Sequence, residues 1–304
     1  MRTKALVDYL VYVLVRLFIC FVQAIRIETG VAIADTFAWL ACDVLGLRRK
    51  VVDENLRHAF PNLDERGRRR LTRQMWRHLI LLVLEVAHVP RKIHETNWRR
   101  FVKLRNVEPL MRHFMSNRPV VVVTGHFGNF EVGGYMLGLL GFPTHSVART
   151  LDNPHINDFL ERFRGATGQH IIPKNGGYDQ ILDVLSSNGI MAFLADQSAG
   201  PKGCWVDFFD RPASTYKAIA LLALEHDAPI AVCYSRRLGQ PMQFEMVVSD
   251  ILDSRDADGA PRNVKEITQW YTHQLEEAIR ANPEQYWWVH RRWKGQPPVR
   301  RKAA

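Results

Sequence analysis

A chain of 304 residues with 47% hydrophobic and 24% charged residues has ordinary globular composition, which excludes a disordered polypeptide. Lys and Arg number 41 against 31 acidic residues, a formal +10 in which arginine predominates. Such a balance implies an anionic partner: a phospholipid surface, nucleic acid, a phosphorylated substrate or an acidic carrier protein. Cys20, Cys42, Cys204 and Cys233 form no CxxC pair and no zinc-like spacing, so neither a disulfide framework nor a metal site is expected, and a reducing compartment is the default.

Residues 5–25 are an apolar run that as a helix would extend roughly 31 Å, about the thickness of a bilayer's hydrocarbon layer. Asp8 and Arg16 interrupt it, and a charge near a helix centre costs ~2.5–3.5 kcal/mol on insertion scales. A tilted or half-inserted anchor with Arg16 reaching the headgroups fits better than a simple span; the alternative is an apolar helix packed on the folded body. Arg16 also breaks the apolar region a signal peptide needs, and no clear small-x-small cleavage site follows. Arg2, Lys4 and the basic remainder suit an inner, anionic leaflet.

Residues 30–48 read as an apolar helix, and Arg48, Arg49 and Lys50 lead into a segment 51–60 closed by Pro61 and Asn62. Helical periodicity returns through a basic stretch, 66–73, and an apolar one, 79–86. Arg66, Arg68, Arg69, Arg70, Arg73 and Arg77 form either a solvated face or a surface for an anionic partner. After Pro90 the pattern becomes a β/α alternation. Strands are predicted at 120–124, 144–148, 169–172, 190–195, 229–236 and 242–249, and helices at 129–140, 154–166, 177–187, 214–226 and 263–281. Residues 250–263 are the best candidate for a long exposed loop, and the basic tail 297–304 is expected to fray. The expected organisation is an anchoring helix over 1–28, a catalytic domain over 29–296 and the tail.

Pro119 and four valines, Val120 to Val123, read as a strand buried on both faces, ending at Thr124 and Gly125. His126 follows, and Gly128, Asn129 and Glu131 open a helix. Ligands of open α/β sheets bind at the carboxyl ends of strands, so a histidine there with a carboxylate five residues on has the ingredients of a general base and its orienting partner. Backbone N–H groups at the helix start could hold an oxyanion or a phosphate, and Gly128 would allow close approach of a bulky ligand.

His126-Phe-Gly-Asn-Phe-Glu131 resembles the H-x4-D/E motif of the bacterial lysophospholipid acyltransferase superfamily, in the His-x-Gly-Asn-x-Glu form of the lipid A late (lauroyl/myristoyl) acyltransferases. Further blocks match in order. Glu54-Asn55-Leu56 with Phe60-Pro61 resembles the family's Asn-Leu…Phe-Pro signature, and Ala148-Arg149-Thr150 with Asn153-Pro154 resembles the segment after its second strand. Asp196-Gln197 matches a later strand end, Phe208 to Thr215 a Phe-Phe-Gly-x-x-Ala-x-Thr segment, and Pro283 to Lys294 the carboxyl-terminal block. The likeness covers roughly 40–294 and departs at Asp210, where the family often has Gly, and at the paired Trp287 and Trp288.

The resemblance implies an α/β fold with a mixed, mostly parallel central sheet flanked by helices, like the glycerolipid acyltransferases, behind an apolar membrane-anchoring helix. It implies a membrane-associated O-acyltransferase that moves a fatty acyl group from an acyl carrier protein or CoA thioester to a hydroxyl of a lipid A precursor or related phosphorylated lipid. His126 would be the general base and Glu131 its orienting partner, with no metal or cofactor required. Gly128, Asn129, Arg149, Asp196, Gln197, Ser214, Thr215, Arg291 and Arg292 would contact substrate, Arg149 holding either the oxyanion or an acceptor phosphate. On the residues alone, Ser214 and Thr215 suit the cap of a helix beginning near Tyr216 better than a substrate contact. The expected setting is a monomer on the cytoplasmic face of the inner membrane. A non-catalytic lipid- or carrier-binding protein on the same fold is the competing reading, as are other acceptors such as phosphatidylinositol mannoside or lysophospholipid. A nucleic-acid module lacks any motif here, and a serine hydrolase would need G-x-S-x-G, which is absent.

Overall fold

A computed structural model describes residues 2–255 and 263–297. The first helix, α1 (Arg2–Ala24), leaves Leu6, Leu10, Leu14, Leu17 and Phe21 more than half exposed. Among the described residues it is the one helix that by itself is long and apolar enough to cross a membrane, with mean hydropathy 2.2 in the most apolar 18-residue window of 4–24. It is tethered at both ends. Gln23 donates to the Ala87 carbonyl at 2.7 Å, and Asn153 donates to the Asp8 carbonyl at 2.8 Å. Tyr9 and Tyr12 meet the ring of His155, and the Arg16 guanidinium lies over Phe159 at 4.9 Å. Arg16 thus has an aromatic partner within the protein, which offsets part of the cost of a charge in an apolar helix.

Helix α2 (Ile27–Trp39) crosses α4 (Glu65–Lys92) through its small residues, Gly30, Ala34 and Ala38, against Leu81 and Leu84. A π turn, Leu40–Val44, and α3 (Arg49–Ala59) lie between them. Asp64 starts α4 by accepting from the Gly67 N–H at 2.7 Å. The basic stretch of α4 resolves into interhelix pairs: Arg68 with Asp53, Arg69 and Arg73 with Asp43, and Arg77 with Asp35. Those four arginines join the amino-terminal helices together.

The remaining elements are β1 (Val102–Arg105), α5 (Glu108–Phe114), β2 (Val120–Thr124), α6 (Phe130–Leu139), β3 (Thr144–Ala148), α7 (Pro154–Gly165), β4 (Gln169–Pro173), α8 (Tyr178–Ser186), β5 (Ile190–Leu194), β6 (Cys204–Phe208), β7 (Arg211–Thr215), α9 (Ala218–Glu225), β8 (Ile230–Arg237), β9 (Phe244–Leu252) and α10 (Val264–Ala281). Seven strands form one sheet in the order β1-β9-β8-β2-β5-β3-β4. Strands β8, β2, β5, β3 and β4 are mutually parallel, while β9 runs against β8 and carries β1 alongside it. The expected mixed, mostly parallel sheet is therefore present. Its odd face, with Val121, Val123 and Met191, packs under α8, α9 and α10, and its even face, with Val120 and Val122, lies under α5 and α6.

All six predicted strands occur, each within three residues of its expected bounds. Three strands were not legible. β1 is a four-residue edge strand in which only Val102 is buried, so it carries no apolar signature. β6 and β7 form a hairpin whose turn residues, Phe209 and Asp210, both have φ near +50°. Two left-handed residues are what a tight two-residue hairpin turn requires, which accounts for glycine being expected at 210; Asp is among the few side chains that adopt this region readily. The hairpin also corrects the helix predicted over 214–226: Ser214 and Thr215 end β7, and α9 begins at Ala218. Of the loop predicted over 250–263, residues 250–252 belong to β9; residues 256–262, like 298–304 of the basic tail, lie outside the described residues.

Candidate active site

Strand β2, the central strand of the sheet, delivers His126 to its carboxyl edge, beside the end of the neighbouring strand β5, which delivers Asp196 and Gln197. His126 Nδ1 lies 2.9 Å from Asp196 Oδ1. Asp196 is buried and its carboxylate is 4% exposed, so this bond is shielded from water. A carboxylate at Nδ1 fixes the proton there and leaves Nε2 as the free base. Gln197 Nε2 sits 3.4 Å from His126 Nε2, where a substrate oxygen would have to stand. Phe130 and Trp287 contact the ring edge-on at 5.2 and 5.0 Å and hold its orientation. Burial pulls the imidazole pKa down, but the Asp196 carboxylate, with Glu131 behind it, overrides this and holds His126 above its ordinary value. Asp196 responds in the opposite sense: burial raises it, His126 lowers it, and the net direction is down.

Glu131 is placed differently from the expectation. Its carboxylate takes a two-point ion pair from Arg164 of α7, at 2.5 and 3.1 Å, and reaches His126 only through its charge. The orienting bond belongs instead to Asp196, seventy residues away in sequence. Glu131 and Arg164 together form part of the cavity wall.

The turn carrying His126 is clamped on three sides. The Gly128 N–H donates to the Gln285 carbonyl at 2.9 Å, the Asn129 N–H to the Ser235 carbonyl at 2.7 Å, and the Trp287 N–H to the His126 carbonyl at 3.0 Å. These bonds use the N–H groups of Gly128 and Asn129, which removes them as oxyanion donors. Gly128 has φ +59°, and a Cβ there would stand 2.0 Å from the Ser235 carbonyl oxygen. The glycine is required by the approach of β8 rather than of a ligand. Asn129, fully buried, accepts from the Val132 N–H to cap α6 and donates to Glu85 Oε2 at 2.9 Å. Glu85 is itself paired at two points with Arg237, at 2.6 and 2.7 Å. Arg237 also donates to His78 Nδ1 at 2.7 Å, so His78 Nε2 carries its proton and donates to the Gly128 carbonyl at 3.1 Å. Burial and Arg237 hold His78 well below its ordinary pKa, in the neutral form this arrangement needs.

Three more expected substrate contacts prove to be scaffold. Arg292 is 2% exposed and donates to the Ser214 carbonyl and Thr215 Oγ1, while the Ser214 hydroxyl donates to the Gly200 carbonyl. All three are spent on the β6–β7 hairpin. Arg291 lines a separate small cavity with Glu54, His58 and Lys294, away from His126. Arg149 stands at the mouth of the His126 cavity, exposed and paired with Asp152 at 2.8 Å. The carboxyl-terminal block follows a 3-10 turn (Pro283–Gln285) in non-helical conformation, and Asn55 ties it down by donating to the Trp288 and His290 carbonyls, both at 2.7 Å.

A cavity of about 560 Å³ opens at His126 and is lined mainly by apolar side chains. One arm runs under α5 and α6 over Val122, Ala192 and Ser146 as far as Thr144. From the level of Thr124 to that of Thr144 is four strand positions, roughly 13 Å at the usual rise. The arrangement is a shielded base with a polar donor beside it, at the head of a slot that suits a hydrocarbon chain.

Among known proteins, the family model for bacterial lipid A biosynthesis acyltransferases matches residues 1–295. The lipid A biosynthesis palmitoleoyltransferase of Escherichia coli (strain K12) is 26% identical over 265 residues, 85% of this chain and 82% of its own. The lipid A biosynthesis lauroyltransferase of the same organism is 23% identical over 264 residues, 85% of this chain and 83% of its own. The crystal structure of the 1-acyl-sn-glycerophosphate acyltransferase of Thermotoga maritima aligns over 88% of this chain and 99% of that one, at 10% identity and a TM-score of 0.39.

Proposed function

The chain belongs to the bacterial lipid A biosynthesis acyltransferases, and from that premise we propose that it transfers a fatty acyl chain from a carrier-protein or CoA thioester to a hydroxyl of a phosphorylated lipid A precursor, with His126 as general base and Asp196 as its orienting carboxylate. The observation that carries this reading is the 2.9 Å bond from Asp196 to His126 Nδ1 at the head of an apolar cavity. His126 Nε2 takes the proton of the acceptor hydroxyl as its oxygen attacks the thioester carbonyl. The resulting tetrahedral oxyanion is met by the Gln197 amide, which stands 3.4 Å from Nε2. Asp196 stabilises the imidazolium, and collapse breaks the C–S bond. The thiolate leaves with the proton returned by His126, and ester and thiol are the products.

The donor chain enters the arm under α5 and α6, with length preference set by how far Ser146 and Thr144 let it descend. Arg149 at the mouth receives an acceptor phosphate. Helix α1 lies in or across the inner membrane with the catalytic face on the cytoplasmic side; its tether to Asn153, just after β3, keeps the mouth near the lipid phase. The scheme calls for no metal or cofactor. Purified protein in detergent, given radiolabelled acyl carrier protein or acyl-CoA and a tetra-acylated, phosphorylated glucosamine disaccharide, is expected to yield a labelled lipid. No transfer from either donor would overturn the reading.

A further inference from the structure

The cavity has a second arm, on the opposite face of the sheet. Side chains alternate along a strand, so Ala192 and Phe193 of β5 point to opposite faces, and both line the cavity. Phe193 and Val147 lie on the face covered by α8 and α9, and Ile181, Ile219 and Leu222 of those helices line the same arm. Their burial marks an open slot: Met191, on the same face of the sheet and on the same strand as Phe193, is 0% exposed, whereas Phe193 and Val147 are only partly buried. The rim of this arm is cationic. Lys174 follows β4 and is exposed; its N–H donates to the Ala148 carbonyl, placing it beside Arg149, and its ammonium lies over the Tyr216 ring at 5.5 Å. Among the described residues no carboxylate lies within ion-pair distance of Lys174, while both residues line the cavity.

An apolar slot beside an unneutralised ammonium selects one chemistry: an amphiphile with a hydrocarbon chain and an anionic head. We propose that the arm between α8 and α9 holds one acyl chain of the phosphorylated acceptor, with Lys174 on its phosphate. The two chains of the reaction would then lie on opposite faces of the sheet and meet at His126. The inference rests on the reading that a phosphorylated lipid is the acceptor, yet occupancy of the slot can be measured without turnover.

The test is photolabelling in lipid nanodiscs with two probes, lysophosphatidic acid and acyl-CoA, each carrying a diazirine at the end of its chain, followed by peptide mass spectrometry. The phosphorylated probe is expected to label residues 178–186 and 218–225, and the acyl-CoA probe residues 107–114 and 130–140. Ile181→Trp, which fills the slot, and Lys174→Ala, which removes the rim cation, should each cut labelling by the phosphorylated probe at least fivefold. Labelling by acyl-CoA should change less than twofold, and the melting temperature of Lys174→Ala should stay put. Both probes marking the same helices, or a phosphorylated probe indifferent to Lys174→Ala and Ile181→Trp, would overturn the proposal. Labelling as expected in a protein that transfers no acyl group would leave the slot standing and sink the acyltransferase reading instead.

Discussion

Replacing Asp196 by Asn is the sharpest perturbation of the site, because it changes one proton acceptor while preserving shape. Asp196 is 5% exposed, so water cannot take over the bond to Nδ1. An Asn amide turned with its NH2 toward His126 places the imidazole proton on Nε2, the tautomer that cannot accept a proton from the acceptor. Turned the other way, it keeps the tautomer but supplies no charge for the imidazolium. Correctly placed general-base catalysis is worth about 10²–10⁴ in rate, or roughly 3–5 kcal/mol in the barrier. A loss in that range is therefore expected in kcat, with KM for either substrate within about threefold, since Asp196 faces His126 rather than the cavity. The pH profile gives a second reading. A base works unprotonated, and the raised pKa of His126 places the acid limb of kcat/KM in the wild type above the ordinary imidazole value of 6.5. Without the Asp196 charge, burial dominates, and the limb of the residual activity should move to lower pH. Both quantities are measured by steady-state transfer of labelled acyl chains across pH 5–9, with folding checked by circular dichroism. A folded Asp196→Asn enzyme with wild-type kcat and an unmoved limb would refute the reasoning.

Filling the donor arm with Ala192→Phe should reduce transfer of the longest accepted chain at least tenfold while sparing shorter ones, since each methylene left unburied forfeits about 0.8 kcal/mol; competition among acyl-CoA lengths, resolved by mass spectrometry, would read it. Glu85→Gln removes one charge from a fully buried pair and should destabilise the fold by about 3–5 kcal/mol in denaturant unfolding, because Arg237 is left uncompensated. Glu131→Gln removes a charge that acts on His126 from a distance and leaves Arg164 unpaired, so the acid limb should move to lower pH by less than in Asp196→Asn, whereas a shift as large as that of Asp196→Asn would return the orienting role to Glu131.

The strand-to-histidine turn was legible because it obeys local rules: valines for a doubly covered strand, then a histidine at the edge where such sheets bind ligands. What surrounds it was less so. The pairing of Asp196 with His126 depends on β2 and β5 being neighbours in register, Thr124 opposite Leu194, which no spacing in the chain announces. The motif's own carboxylate, five residues from His126, was the natural partner until Arg164 of another helix claimed it. Glu85, His78 and Arg237 are buried polar residues on elements that read as ordinary apolar ones, and only the fold shows that they brace Gly128 and Asn129. The matching blocks at Asn55 and at Pro283 to Lys294 were visible as resemblance, but their reason is physical: one donates to the carbonyls of the other, and the second closes on the turn that carries His126.

The central claim is that His126 is the base of an acyl transfer to a lipid hydroxyl. Its most direct test is single-turnover transfer from labelled acyl carrier protein or acyl-CoA to a phosphorylated lipid A precursor by the wild type and by His126→Ala, with melting curves recorded in parallel. The account predicts a labelled ester from the wild type and at least a hundredfold slower transfer from a variant that melts normally. A folded His126→Ala protein that transfers at the wild-type rate would contradict it.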